Sequence, residues 1–452
     1  MLLGCDLPFQ IDCRQSLADG GWRNLQIMCY KRRNLFCVAA AVALACLGGL
    51  AAQSTAAEAV PSSFPATAGF RSIREFGVAS TNSAVINKAA LQAAIDWAAP
   101  RGAALFVEPT DEPYPVAGGL VLRMNVSLIG VQGPVGRGTR HPGRAQPVGS
   151  VFRIEDEEHP FITVESATQL RGLQFWYPQQ TLNDPAKVVR YPATIQVSQQ
   201  GSAQGVTLSC LTFYGEFLAM DFNSARAHPC EQILFEHCYG YPLGGEFIRI
   251  DYCYDIPRIL HCHVNPANQR FIKGGYSRAV IDSVVARKTF TYAINHTDNA
   301  QLIDLFTFGV HGGIYLGPAT YGQLSNFNLD CVTVGIHKLG DGTFNRNWQI
   351  AQGSIIANTG PRLEEIHPLI IEGEGHTSLS NVECFSGGNG ALTTLDKSQD
   401  YLLVRGDRKL TISLSGCRMR NYVAPSPITV LNPNAVIQAT GCVDRDEQPF
   451  KR

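Results

Sequence analysis

Apolar and polar positions along the chain fall into two regimes, one short and helical, the other long and alternating. Over NKAALQAAIDWAA (87–99), Ala90, Ala94 and Trp97 recur on one face with Leu91 and Ile95 beside them, the spacing of an amphipathic helix. Beyond it no second helix is predicted. Short runs rich in Val, Ile, Leu, Phe and Thr follow, punctuated by Gly and Pro, which is the pattern of strands and turns. Three runs, SRAVIDSVVARKTFTYAIN, NAQLIDLFTFGVHGGIYLG and YGQLSNFNLDCVTVGIHKLG, align with one another. The steps Ile281 to Ile303 and Ile303 to Leu324 set a period of about 22 residues. Looser copies lie on both sides, among them VTLSCLTFYGEFLAMDF and PRILHCHVNPANQRFIKG. A unit of strand, turn and strand cannot bury a core alone, so neighbouring units must stack. The expectation is an all-β solenoid, a parallel β-helix over residues 66–446, with the 87–99 helix at its N-terminal end. A β-propeller would need longer repeats with four strands each.

Alternation within the second strand of each coil assigns its two faces. In FIRID, Ile248 and Ile250 point in while Arg249 and Asp251 point out; the same rule sends Asp221, Lys273, Asn295, Tyr315, His337, Glu372 and Arg405 outward on other coils. Coils stacked about 4.8 Å apart turn these into one polar column on which a linear polysaccharide can lie, with Tyr315 as a stacking plate. Cysteines recur late in matched segments (TLSC, FEHC, ILHC, NVEC, LSGC, ATGC) and are expected as an inward stack of small apolar side chains. Disulfides among Cys210, Cys230, Cys238, Cys253, Cys262, Cys331, Cys384, Cys417 and Cys442 are the alternative.

Composition agrees with a folded, turn-rich chain. The 452 residues are 45% hydrophobic and only 17% charged, with 43 Gly and 25 Pro. A formal net charge of −1 gives no field to attract nucleic acid or an anionic membrane. An acidic polymer would have to meet a local basic patch. At the N-terminus, Lys31, Arg32 and Arg33 precede an apolar run from Leu35 to Ala52 and an Ala57-Glu58-Ala59 end. That order predicts a secretory signal within residues 1–59, cleaved after Ala59, a secreted or periplasmic protein, and no membrane span in the mature chain.

The order SIREFGV, helix, GAALFVEP and FVEPTDEPYPV resembles the start of the pectate-lyase-like right-handed parallel β-helices, the rhamnogalacturonase and epimerase group. The resemblance implies a right-handed solenoid capped by the helix. It departs from that group where ASTNSAV replaces the acidic Gly-Asp-Gly element. His311 in VHGG is similar to the Gly-His-Gly of polygalacturonases, but the Asn-x-Asp, Asp-Asp and Arg-x-Lys companions are missing, as is the Asp-Pro-His-Asp of alginate epimerases.

Chemistry concentrates in GEFIRIDYCYDIPRILHCHVNP, which holds Glu246, Arg249, Asp251, Tyr252, Asp255, Arg258, His261 and His263. Glycoside hydrolysis needs two carboxyl groups, about 5 Å apart for retention or about 6.5–9.5 Å for inversion. Asp251 is the leading catalytic candidate. Asp221 is expected one coil away and Asp298 two, so Asp251 with Asp298 suits inversion, with Lys273 between them as a charge that keeps one carboxylate ionised. Asp221, Arg249, Asn295, Tyr315, His337, Glu372 and Arg405 are expected to bind the glycan. The His261-Cys262-His263 pair lacks a third ligand of diagnostic spacing, so no metal is expected, and no cofactor; calcium enters only if the enzyme is a lyase. Hydrolysis is the first expectation, elimination or epimerisation of a polyuronide the second, and a non-catalytic carbohydrate-binding or adhesive β-helix the third.

Overall fold

In the computed structural model, residues 69–131, 133–135, 145–269, 275–340, 347–357, 365–384 and 398–450 are described. The expected signal lies outside these residues, and so does Lys273. The chain winds as a right-handed parallel β-helix in which each strand pairs in parallel with its counterpart on the next coil. The logic is visible in one inward rung. Leu105, Leu128, Leu170, Leu208, Phe235, Ile259, Leu302 and Leu324 are successive Cα partners. None of the eight exceeds 1% exposure. Each such side chain contributes roughly 1.5–3 kcal/mol through removal from water.

Coil length is less regular than the sequence pattern suggests. The expected period of about 22 residues holds for one coil, though Leu324 partners Leu302 and Ile303 partners Ser325. Ile259 and Leu302 are also one coil apart yet separated by 43 residues. The longer coil carries a helix, here α2 (Arg278–Val285), where a strand was expected. Ala279-Val280-Ile281-Asp282 repeats the spacing of Gln301-Leu302-Ile303-Asp304, which is why the segment aligns as a coil. Val280 and Val284, one helical turn apart, are buried together with Val285, and Ser277 caps the helix by accepting from Val280 N. Ile281 is therefore no rung of the ladder.

The N-terminal helix, α1 (Ala84–Ala98), starts three residues before the predicted segment because Ser83 caps it, accepting from Ile86 N. Leu91, Ala94, Ile95 and Ala98 are fully buried against the end of the solenoid, while Ala90 and Trp97 lie half-buried at its margin. Gln92 completes the seal: its Nε2 donates to Val121 O at 3.1 Å and its Oε1 accepts from Val121 N at 2.9 Å. Those backbone groups belong to the strand Leu120–Leu122, whose only strand partner among the described residues is Ile162–Val164, so the helix covers its other edge.

Seven cysteines are buried as thiols, with Cys230 and Cys253 in register on neighbouring coils. Cys210 and Cys331 depart from the expected stack. They are half-buried and have positive φ, 56° for Cys210 at a bend and 53° for Cys331 within the strand Asn328–Lys338.

The face with the expected column is built by strands that include Ile195–Val197, Met220–Asn223, Ile248–Asp251, Phe290–Ile294, Phe306–Leu316, Asn328–Lys338 and His367–Ile371. Ile248 and Ile250 point in and Arg249 and Asp251 out, as alternation predicts. The outward side chains form two rows, not one. Gln196, Asp221, Arg249, Ala293, Tyr315, His337, Ile370 and Leu403 are successive partners in the first. Asn223 and Asp251 are partners in the second. Asn295, Glu372 and Arg405 continue that second row, their amides extending the ladder to Ile250 O, Lys338 O and Ile371 O. Ala293, Ile370 and Leu403 also break the polarity of the first row.

Candidate functional site

Asp221 and Arg249 face each other across one coil, so the arginine needs only to fold back along the row. Its Nε donates to Asp221 Oδ1 at 2.8 Å and its Nη2 to Oδ2 at 2.7 Å, a two-point fork on a carboxylate. Its Nη1 also reaches Glu246 Oε2 at 3.5 Å, just before the strand begins. One guanidinium thus bridges two carboxyl groups. Burial pushes the Glu246 carboxyl above the usual range; the Arg249 charge opposes this and the Asp221 charge adds to it. The three line a groove of about 350 Å³ with Arg190, Tyr191, Gln196 and Phe217 among its walls.

A second group lies further along the same face. Glu372 accepts from Arg405 Nε at 2.7 Å and Nη2 at 3.2 Å, and His337 Nε2 lies 2.5 Å from its other contact at Oε1. His337 first and then Arg405 hold the Glu372 carboxyl down to about 2, against the effect of burial. The His337 ring meets Tyr315 edge-on at 5.3 Å, and Tyr315 packs on Phe290 at 5.5 Å. Phe290 lies over Gly312, its rung partner, where a Cβ would come within 2.3 Å of the ring. Val334, Ile370 and Leu403 pack around Phe290, so this end of the face is apolar. Tyr315 is one member of an aromatic group, not a lone plate.

The expected inverting pair is not reproduced. Thr297 bridges directly to Cys253, which places Asp298 one coil from Asp251 and further round the turn. The segment expected as the intervening coil is the helix α2, which removes one coil from the separation. Asp251 Oδ1 lies 2.7 Å from His296 Nδ1, whose ring stacks on Tyr252 at 4.5 Å. Asp298 Oδ1 is buried and without a partner. Asn295 follows Ile294 into the second row beside Asp251, and its Oδ1 crowds Gly317, where a Cβ would lie at 1.9 Å. His261 stacks on His237 at 4.8 Å and bonds Asp304 at 2.9 Å, while His263 stacks on Phe306 at 4.2 Å. His311, at the edge of Phe290, is driven down to about 4 by burial and by Lys288.

Of the expected glycan-binding set, Asp221 and Arg249 meet in one group, and Tyr315, His337, Glu372 and Arg405 in another. Glu246, Arg190, Phe217 and Phe290 had no place in the predicted column. Glu246 precedes Phe247 and Ile248, which both point in, so alternation loses its phase there. Its position three residues before Arg249 in an acid-rich run is the only sequence signal for it.

No family model matches the chain, and no curated protein does. Among solved structures it is similar to DFA-IIIase from Arthrobacter chlorophenolicus A6 without its lid in complex with GF2, at 11% identity over 84% of this chain and 94% of that one, TM-score 0.45. The catalytic unit of the thermostable GH87 alpha-1,3-glucanase from Streptomyces thermodiastaticus strain HF3-3 gives 11% identity, 84% and 70% coverage and a TM-score of 0.40. A tailspike protein of an Acinetobacter phage gives 9%, 86% and 64% coverage, and 0.37. At this level of similarity no residue role passes from those proteins to this chain.

Proposed function

We propose that this chain is an exported carbohydrate-active enzyme that hydrolyses a glycan lying along the two-row face. The observation that supports the reading is the pair of carboxyl groups bridged by Arg249 in the groove, one of them desolvated. Glu246, whose burial favours the protonated form, is the general acid: its proton goes to the glycosidic oxygen as the bond to the sugar carbon breaks. Asp221 is the partner carboxylate, facing the positive charge that grows on that carbon; a water oxygen bonds to the carbon in place of the departed sugar and its proton passes to the carboxyl pair. Arg249 positions both, since its fork fixes the Asp221 carboxylate while its third nitrogen limits where Glu246 can turn. Tyr191 and Phe217 offer apolar walls for a sugar ring. His337 is three rungs from Arg249, about 14 Å along the stack, so the Tyr315–His337–Glu372 group would hold a more distant part of the same chain.

The second reading is elimination. Tyr315 beside a His337 oriented by Glu372 resembles a proton-abstracting pair, with Arg405 to face a uronate. Glu372 already engages both His337 and Arg405, which leaves that reading behind the first. A screen on neutral and uronic-acid polysaccharides separates them. Reducing ends without ultraviolet-absorbing unsaturated ends mean hydrolysis, and both signals mean elimination. Binding with neither product means an adhesive β-helix.

Asp251→Asn is expected to keep kcat within a few-fold of the parent, because its carboxylate is engaged by His296. A loss of about a hundredfold or more would move the acid–base role to Asp251.

A further inference from the structure

Three guanidiniums gather at the groove, and the acids there answer only one of them. Arg249 is taken by Asp221 and Glu246. Arg190 stands exposed on the wall and makes no ion pair or hydrogen bond among the described residues. Arg287 follows α2 and donates from Nε to Leu243 O at 2.9 Å, with its guanidinium 5.1 Å from the centre of the Phe217 ring. No carboxylate partners it among the described residues either. Phe217 and Gly244 line the groove, so Arg287 sits directly behind that wall. Its own burial and the like charge of Arg190 both push Arg287 below the usual guanidinium range. When Glu246 carries the proton it needs as an acid, the groove lining holds one carboxylate, Asp221, against Arg190 and Arg249, with the Arg287 charge behind the Phe217 wall. Like charges left side by side in a partly dry groove repel, and an anion between them relieves this.

We infer that the glycan is acidic, carrying a carboxylate or sulfate ester that docks at Arg190 beside the carboxyl pair, on the wall that Arg287 backs with a second positive charge. The inference rests on the groove being the glycan site. The planar fork of arginine matches the oxygens of either anion, and the Phe217 ring with the Leu243 carbonyl holds Arg287 in place before the ligand arrives. Arg405 offers no equivalent, since Glu372 fills its fork.

The test is binding of three oligosaccharides of equal length, measured by calorimetry at low and high salt: an oligogalacturonate, a sulfated oligosaccharide and an uncharged gluco-oligosaccharide. The expected result is that one anionic probe binds about tenfold or more tightly than the uncharged one at low salt, the carboxylate or the sulfate probe naming the source. Added salt and Arg190→Gln should each remove most of that preference, about tenfold for one charged contact. Arg190 has no partner to lose, so the variant should fold as the parent does. Equal affinity for charged and uncharged probes, no binding of either anion, or a preference that survives Arg190→Gln would overturn the inference. Reducing ends are read in parallel. An acid preference without cleavage would sink the hydrolase reading alone, and cleavage of an uncharged glycan with no acid preference would sink the acidic-ligand inference alone.

Discussion

Glu246→Gln is expected to lower kcat by about 10³-fold while KM changes little, because the amide keeps the size of the side chain and loses the proton. The pH profile gives a sharper readout than the rate. Burial raises the Glu246 carboxyl, so the alkaline limb of kcat should fall at a pH above the ordinary carboxylate range. That limb reports loss of the acid's proton, and it should vanish in Glu246→Gln. Asp221→Asn should also cost on the order of 10³-fold, since it removes the partner carboxylate and strips Arg249 of its two-point contact. A leaving group that needs no protonation, such as a nitrophenolate, should restore much of the rate to Glu246→Gln and none to Asp221→Asn. Equal rescue of both variants, or an alkaline limb unchanged in Glu246→Gln, would reject the assignment.

The second large effect is on stability and comes from Glu216, a carboxyl sealed inside the solenoid. Its Oε1 accepts from Tyr241 N at 2.6 Å, and its Oε2 is buried with no partner. Burial pushes it up to about 8. The folded protein therefore keeps a proton that the unfolded chain gives up near 4.5, so stability is greatest below about pH 4.5, falls as pH rises, and levels off above about 8. Over that window the loss is on the order of 4 kcal/mol. Glu246, also raised by burial, adds in the same direction. Glu372 acts elsewhere: held down to about 2, it contributes stability above about pH 4.5 that is lost as pH drops toward 2. Glu216→Gln keeps the acceptor for Tyr241 N and stays neutral at every pH. It should flatten the slope between pH 5 and 8, and raise the melting temperature at pH 8 with little change at pH 5. Denaturant unfolding at three pH values is sufficient, and an identical slope in parent and variant would show that Glu216 is ionised in the fold.

Much of the architecture was legible because the solenoid repeats one physical problem on every coil. Ile248 and Ile250 had to go in, and Arg249 and Asp251 out, whatever the neighbouring coils did. The steps from Ile281 to Ile303 and from Ile303 to Leu324 gave a coil length close to the true 22 residues, although the rung is Leu302 with Leu324. The apolar face around Leu91 and Ile95 gave the cap. The site was legible only where it sat on a strand. Asp221 and Arg249 follow from alternation, but Glu246 lies where the chain bends, and nothing local says that it returns to the same guanidinium. The α2 segment failed for a different reason. Four residues of apolar spacing suit a strand and a helix alike, and the choice was made by burial of Val280 and Val284 against distant parts of the chain. That one misreading shifted Asp298 by a coil and carried the inverting pair with it.

Rungs that stay in register while coils range from 22 to 43 residues separate two kinds of change. Length is added between the rungs, at the outer surface, where Arg190 lines the groove and Arg287, following α2, stands behind its Phe217 wall. The ladder beneath, from Ile259 to Leu302, is indifferent to how long the detour is. A segment exchanged between Leu260 and Phe290 would change what backs the Phe217 wall of the groove and leave Asp221 and Arg249 on their strands. Specificity and scaffold are in this sense inherited separately, and a lineage of such chains could diverge quickly in what it grips while its skeleton hardly ages.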